Sequence, residues 1–257
     1  MAKEAASQRR PVPDGDRPPS GQVSLARALS KLGFCSRAQA RSLIQDGRVR
    51  LDGAVCRNPS LRVEMDRRRI TVDGRAVSAA GRVYLMLNKP RGLVTTSADE
   101  QGRATVYQCL TDPSLPWVSP VGRLDKASEG LLLFTNDTRW AAGVLSPASG
   151  LEKVYHVQVA GLPEQNDLLR LTAGIADGGQ VLAAGRVRVL RQGQRNCWLE
   201  IALYEGKNRQ IRRMLAALDF RVLRLVRTAI GPLALGELTK GTFRHLTAAE
   251  REALRAP

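Results

Sequence analysis

Val121-Gly122-Arg123-Leu124-Asp125-Lys126-Ala127-Ser128-Glu129-Gly130-Leu131-Leu132-Leu133-Phe134 sets one carboxylate, Asp125, between two cations and just ahead of an apolar run. With Arg123 and Lys126 beside it, Asp125 is expected at a core edge, where desolvation and neighbouring charge compete over its acidity. A carboxylate so placed serves as a nucleophile or a base. An isolated Gly-x-x-Asp reads first as a solvated turn, so the longer string and the rest of the chain decide.

A chain of 257 residues, 43% of them hydrophobic, buries a sizeable core and fits one large domain or a large one plus a small one. Its formal net charge of +16 points to a polyanionic partner, because Lys and Arg gain affinity by displacing counterions from phosphates. Nucleic acid leads and an anionic membrane surface is second. No run approaches the length of a membrane span, and the N-terminus has prolines and charges where a signal peptide needs an apolar stretch, so a cytoplasmic protein is expected. Cys35, Cys56, Cys109 and Cys197 are widely separated, without a Cys-x-x-Cys pair, and read as reduced thiols. Two histidines leave little material for a metal centre or a serine triad, and no phosphate-binding glycine loop appears. Chemistry without metal or cofactor is the expectation.

Residues 1–21 carry Arg9, Arg10, Arg17, prolines and few large apolar groups, which predicts a flexible basic tail. Leu25, Ala28, Leu29 and Leu32 then recur at helical spacing before Gly33. Ser36 with Gln39 has the spacing of a capping box, Ala40, Leu43 and Ile44 form an apolar stripe, and Gly47 supplies a stop. Strand pieces follow at Val49–Leu51 and Ile70–Val72, broken at Asp52-Gly53 and Asp73-Gly74. Further strands are expected from Val83 and over 154–159, 187–190, 198–203 and 222–226, with helices over 140–145, 166–172 and 208–218. Strands outnumber helices, so the fold class is α+β, with helices packed on a mixed, mostly antiparallel sheet.

Gly122-Arg123-Leu124-Asp125, with Ser128-Glu129-Gly130-Leu131-Leu132-Leu133 and Thr135-Asn136-Asp137, closely resembles the active-site segment of RNA pseudouridine synthases of the RsuA family. Tyr84-Leu85-Met86-Leu87-Asn88-Lys89-Pro90-Arg91-Gly92 resembles the start of that family's catalytic domain, expected here over residues 81–257. Upstream, Cys35-Ser36-Arg37-Ala38-Gln39-Ala40 and Gly47-Arg48-Val49-Arg50-Leu51-Asp52-Gly53 look like the S-four type RNA-binding module, a small helix-helix-sheet unit over residues 22–80. The resemblance implies an RNA-facing surface that includes Arg37, Arg41, Arg48 and Arg50, held to phosphates with little sequence readout.

Turning uridine into pseudouridine breaks the bond from ribose to N1 of uracil, rotates the base and rejoins ribose to C5. It requires a base lifted from its stack, a group acting at the sugar or base, and a closed site that retains the detached uracil. The resemblance gives the acting group as Asp125, next to Arg123. In Lys153-Val154-Tyr155-His156-Val157-Gln158-Val159, period two places Tyr155 on the inner face with Val157 and Val159. The family's Lys-x-Tyr tyrosine, which lies against the target base, matches Tyr155.

Glu205-Gly206-Lys207-Asn208-Arg209-Gln210-Ile211-Arg212-Arg213-Met214-Leu215 lays out Arg209, Arg212 and Arg213 on one side of a helix, with Ile211, Met214, Leu215 and Leu218 opposite. The family's arginine that pairs with the catalytic aspartate corresponds to Arg212, and a bidentate guanidinium would fix the carboxylate's rotamer. Arg209, Arg213, Arg221, Arg224 and Arg227 are left for the RNA backbone. In Val222-Leu223-Arg224-Leu225-Val226-Arg227, Leu225 matches an apolar side chain packed near the target base.

The expected partner is ribosomal RNA, with no membrane, no small-molecule cofactor and a monomeric chain. A non-catalytic RNA-binding or ribosome-assembly protein is the alternative, and an RNA N-glycosidase using Asp125 and Glu129 is a weaker third.

Overall fold

The computed structural model describes residues 22–65 and 67–255; the basic tail expected over residues 1–21 lies outside them. Strand β1 (Gln22–Ser24) leads into helix α1 (Leu25–Lys31), whose start Ser24 caps by accepting from Arg27 N. Helix α2 (Arg37–Gln45) opens on the capping box expected of Ser36: Gln39 N donates to Ser36 Oγ at 3.1 Å and Ser36 N donates to Gln39 Oε1 at 3.0 Å. Strands β2 (Val49–Leu51) and β3 (Ala54–Val55) form one hairpin. After β4 (Arg62–Glu64), β5 (Ile70–Val72) and β6 (Arg75–Ala76) form another. Both turn on the Asp-Gly pairs, where all four residues have positive φ, as a two-residue turn matched to the strand twist needs. β2 pairs with β5 and β1 with β4, closing a core that includes Leu25, Leu29, Ile44, Val49 and Ile70.

The remaining chain builds one sheet from β7 (Tyr84–Lys89), β8 (Ser119–Val121), β9 (Glu129–Thr135), β10 (Lys153–Ala160), β13 (Arg186–Gln192), β14 (Asn196–Leu203), β15 (Val222–Ile230), β16 (Leu233–Ala234) and β17 (Phe243–His245). A small hairpin of β11 (Ile175–Asp177) and β12 (Gln180–Leu182) stands apart. The main order is β13-β14-β10-β15-β9-β7-β17, with β8 on β9 and β16 on β15. Only β9 and β15 run parallel among these paired strands; every other pair is antiparallel. That contact brings Gly130 beside Arg227 so closely that a Cβ at Gly130, whose φ is +99, would overlap the Arg227 carbonyl oxygen.

Two halves of this sheet solve burial differently. The apolar run Leu131–Phe134, to which sequence assigned no element, lies in β9 and is buried on both faces. On one face it meets Trp140 and Val144 of α3 (Thr138–Leu145) and Leu254 beyond α6 (Ala248–Ala253); on the other it meets Val106 and Val118. Each such side chain contributes roughly 1.5–3 kcal/mol of burial. Toward β14 helices pack on one face, through Leu171 of α4 (Gln165–Ala173) and Ile211, Met214 and Leu215 of α5 (Gln210–Ala216). Strand β10 joins the halves, and Tyr155 packs against the cores of both.

Candidate active site

Strand β8 ends at Val121, the chain turns through Gly122, and Leu124 plugs into the core, which leaves the next residue, Asp125, at the surface of a cleft. The backbone here is held at every carbonyl from 124 to 128. Thr95 Oγ1 donates to Leu124 O at 2.7 Å, Gly92 N to Lys126 O at 2.8 Å, and Arg212 Nη2 to Ala127 O at 3.2 Å. The carbonyls of Asp125 and Ser128 accept from one ammonium, Lys89 Nζ, at 3.2 and 2.8 Å, and Lys89 also reaches Pro90 O at 3.0 Å. A loop with its acceptors satisfied from outside is rigid, and it aims the Asp125 side chain without help from regular secondary structure.

Lys89 is completely buried at the end of β7. Burial pushes its ammonium down to about 8, against the opposing pull of Glu129, Asp125 and Cys109. In the sequence it stands within a family motif but carries no legible role, because a lysine closing a strand is ordinarily a solvated end.

The Asp125 side chain is 40% exposed and faces two guanidiniums. Arg212 Nε lies 4.0 Å from Asp125 Oδ2, and Arg209 Nη1 lies 3.5 Å from the same oxygen. The first guanidinium is 15% exposed and the second 52%. The bidentate geometry expected of Arg212 is not formed: its Nη2 bonds Ala127 O, while its buried Nε has no hydrogen-bond partner among the described residues. Burial, with Arg209 and Arg91 nearby, lowers the Arg212 guanidinium's pKa, and Asp125 opposes that shift. Arg209 stands at the N-cap of α5 with φ +49 and ψ +31, a left-handed conformation uncommon for a side chain of this size. The turn directs it to Asp125, which helical periodicity does not reveal.

The other sequence candidates fall into distinct places. Tyr155 and Leu225 line the Asp125 cleft, from the neighbouring strands β10 and β15. Arg123 is exposed between this cleft, of about 400 Å³, and a second of about 460 Å³, which also includes Asp125 and is lined by Thr95, Thr96, Arg103 and Asn208. Arg213 does not share a direction with Arg212: its Nε and Nη2 donate to the carboxylate and carbonyl of Asp177. Arg224 and Lys240 both engage Glu129, whose buried carboxyl they hold below the usual range although burial alone would raise it. Glu129 is thus occupied, which removes the second carboxylate of the glycosidase reading. Arg227 is buried, and its Nε donates to Leu131 O at 2.8 Å. Arg37, Arg41, Arg48 and Arg50 are exposed, with Arg48 paired to Asp73. Among the described residues no cluster of His, Cys, Asp and Glu could hold a metal ion, and no helix is long and apolar enough to cross a membrane.

A carboxylate fixed beside two guanidiniums at the edge of a half-apolar cleft fits several transfer and isomerisation reactions. Comparison with known proteins narrows the choice. The RNA pseudouridylate synthase family matches residues 83–217, and the S4 domain matches residues 23–68. A protein of Aquifex aeolicus (strain VF5) named an uncharacterized RNA pseudouridine synthase is 37% identical over 231 residues, 89% of this chain and 92% of that one. The ribosomal large subunit pseudouridine synthase B of Bacillus subtilis (strain 168) is 33% identical over 235 residues, 90% of this chain and 95% of that one. A crystal structure of a pseudouridylate synthase superposes with a TM-score of 0.62 at 30% identity, covering 90% of this chain and 99% of the other. The Asp125 segment, the sheet around it and the N-terminal module all fall within these matches, and the chain belongs to the RNA pseudouridine synthases that carry an S4 domain.

Proposed function

We propose that this protein isomerises one uridine of ribosomal RNA to pseudouridine, with Asp125 as the group that acts on the extruded nucleoside. The observation that carries the reading is the placement of Asp125: a clamped loop presents it to Arg209 and Arg212 at the edge of a cleft lined by Tyr155 and Leu225. The carboxylate either adds to C1′ of the ribose or takes the 2′ proton. Both routes release uracil from C1′ and both need the carboxylate within reach of the sugar. The ring of Tyr155 and the side chain of Leu225 hold the freed base, which turns and rejoins through C5 as the Asp125–C1′ ester breaks or, on the other route, as the 2′ proton returns to the sugar. The C5 proton leaves and N1 gains one, so atoms balance without a cofactor. Arg212 positions Asp125 from the protein side, and Arg209, more exposed, meets both Asp125 and the RNA backbone.

Arg123, with Arg37, Arg41 and Arg48 on the N-terminal module, supplies phosphate contacts that orient the RNA, whereas Arg213 is held by Asp177. A ribosomal substrate is supported by the name of the Bacillus subtilis relative. The chain acts as a monomer in the cytoplasm.

Mapping pseudouridine across total RNA from cells with and without the gene tests this reading. One ribosomal position is expected to lose the modification and to regain it with the wild-type gene but not with Asp125→Asn. Unchanged maps, with RNA affinity intact, would leave an RNA-binding or assembly protein. Abasic sites and free uracil would instead reveal a glycosidase.

A further inference from the structure

At the mouth of the Asp125 cleft, Tyr204 is 53% exposed and Leu145 is 52% exposed, although both are large apolar groups and both line the cleft. Each is seated over a glycine. A Cβ on Gly185 would lie 2.5 Å from Tyr204 Cε2 and 2.9 Å from Cδ2, so the ring rests where any other residue's side chain would start. A Cβ on Gly122, in the catalytic segment itself, would lie 3.1 Å from Leu145 Cδ2. The seat under Tyr204 is anchored: Gly185 N donates to Ala202 O at 2.9 Å, and Lys153 Nζ donates to the carbonyl of Tyr204 at 3.2 Å. Lys153 also lines the cleft, where burial and Arg227 lower its pKa.

We infer that Tyr204 is a stacking shelf for the nucleobase next to the target uridine, and that it sets which sequence context the cleft accepts. The inference rests on the pseudouridylation reading and deepens it. Lifting a uridine out of a helix or loop leaves its neighbour without a stacking partner on one side. A ring already fixed against a glycine replaces that partner with little further loss of side-chain freedom, and ring stacking tolerates any base while favouring purines by area. The apolar wall of Leu145 and the cation of Lys153 fit a base and its phosphate at the same mouth. Tyr155 and Leu225 sit deeper in the cleft and are left for the target itself.

The test uses the full chain and a short RNA hairpin spanning the modified uridine, with 2-aminopurine or an abasic nucleotide at each position flanking it. Fluorescence quenching on binding and pseudouridine formation are read separately for wild type and for Tyr204→Ala, Tyr204→Leu and Tyr204→Phe. In wild type, 2-aminopurine on one side of the target is quenched, and Tyr204→Ala and Tyr204→Leu lose the quenching while Tyr204→Phe keeps it. The KM of the alanine and leucine variants rises by about ten-fold, as expected for losing one base–aromatic stack, with kcat nearly unchanged. An abasic nucleotide on that side costs wild type a similar factor and costs Tyr204→Ala almost nothing, because the partner is already gone.

Leucine behaving like tyrosine would overturn the shelf in favour of plain apolar packing. A KM within two-fold of wild type in folded Tyr204→Ala would overturn it as well. Quenching lost with the ring, but no pseudouridine from wild type, keeps the shelf and removes the isomerase reading. Product formed normally by Tyr204→Ala does the reverse.

Discussion

Replacing Lys89 by methionine keeps the apolar stem of the side chain and deletes only the ammonium that grips Pro90 O, Asp125 O and Ser128 O. Asp125 O retains the bond from Ser128 N, so two carbonyls lose their donor. An unsatisfied buried carbonyl costs about 1–3 kcal/mol, or roughly 2–6 for the pair. Against this, a fully buried ammonium is itself penalised: the gap between 10.5 and about 8 corresponds to about 3 kcal/mol on the charged form. The two effects largely offset, and Lys89→Met should lose no more than about 3 kcal/mol of stability. Activity has no such compensation. With two of its clamps gone the loop is free to drift, and an error of about 1 Å at the reacting group costs on the order of 100-fold in kcat.

The assay is release of tritium from RNA labelled at C5 of uridine, since that hydrogen leaves when C5 joins the ribose. Thermal unfolding of the same preparations reports stability. A folded Lys89→Met enzyme within three-fold of the wild-type kcat would refute the clamp. The pH dependence adds a second check with opposite signs. The folded chain releases the Lys89 proton near 8 and the unfolded chain near 10.5, so between those values the unfolded state binds more protons. Wild-type stability therefore gains from this group as pH rises to 10.5 and loses that gain as pH falls through 8. Activity moves the other way, because a neutral amine has two donors for three carbonyls and kcat falls as pH rises through about 8. The difference between wild type and Lys89→Met isolates both trends.

Arg212→Ala should lower kcat about 100-fold, since it frees Ala127 O and removes the buried cation beside Asp125, while Arg209→Ala should act mainly on KM, by about ten-fold; single-turnover kinetics separates the two. Gly130→Ala places a methyl group on the Arg227 backbone where β9 runs parallel to β15 and should cost about 4 kcal/mol or more, read as insolubility or a collapse of the unfolding midpoint. Arg37→Gln with Arg41→Gln should weaken RNA binding and flatten the slope of log affinity against log salt by about one for each phosphate no longer neutralised, with kcat at saturating RNA unchanged.

Signals confined to a few residues were legible in the sequence. The Ser36 capping box, the two Asp-Gly turns and the alternation that puts Tyr155 with Val157 all depend on neighbours within one turn or strand. Thr247 with Glu250, which caps α6, is a signal of the same local kind. Leu131–Phe134 stood out only as an apolar run, because a strand buried on both faces loses the period-two pattern. Glu129 illustrates the opposite error. Close to Asp125 in sequence it looked available for chemistry, yet Arg224 and Lys240, 95 and 111 residues away, occupy it.

What makes the site was beyond local reading because it is assembled from distant segments. Asp125 is chemically ordinary by itself; its placement comes from Lys89, Gly92 and Thr95 on one side and from Arg209 and Arg212 on the other. The bonds that position it span 29 to 85 residues. Of these partners only Arg212 is marked in advance, by the family resemblance; a strand-end lysine, a threonine in a loop, and an arginine in a left-handed turn are each commonplace in sequence. Precision at the carboxylate therefore requires the whole sheet to close first, and a substitution that loosens β7 or α5 should reduce catalysis before it reduces RNA binding, whose proposed phosphate contacts lie on the exposed arginines of a separate module.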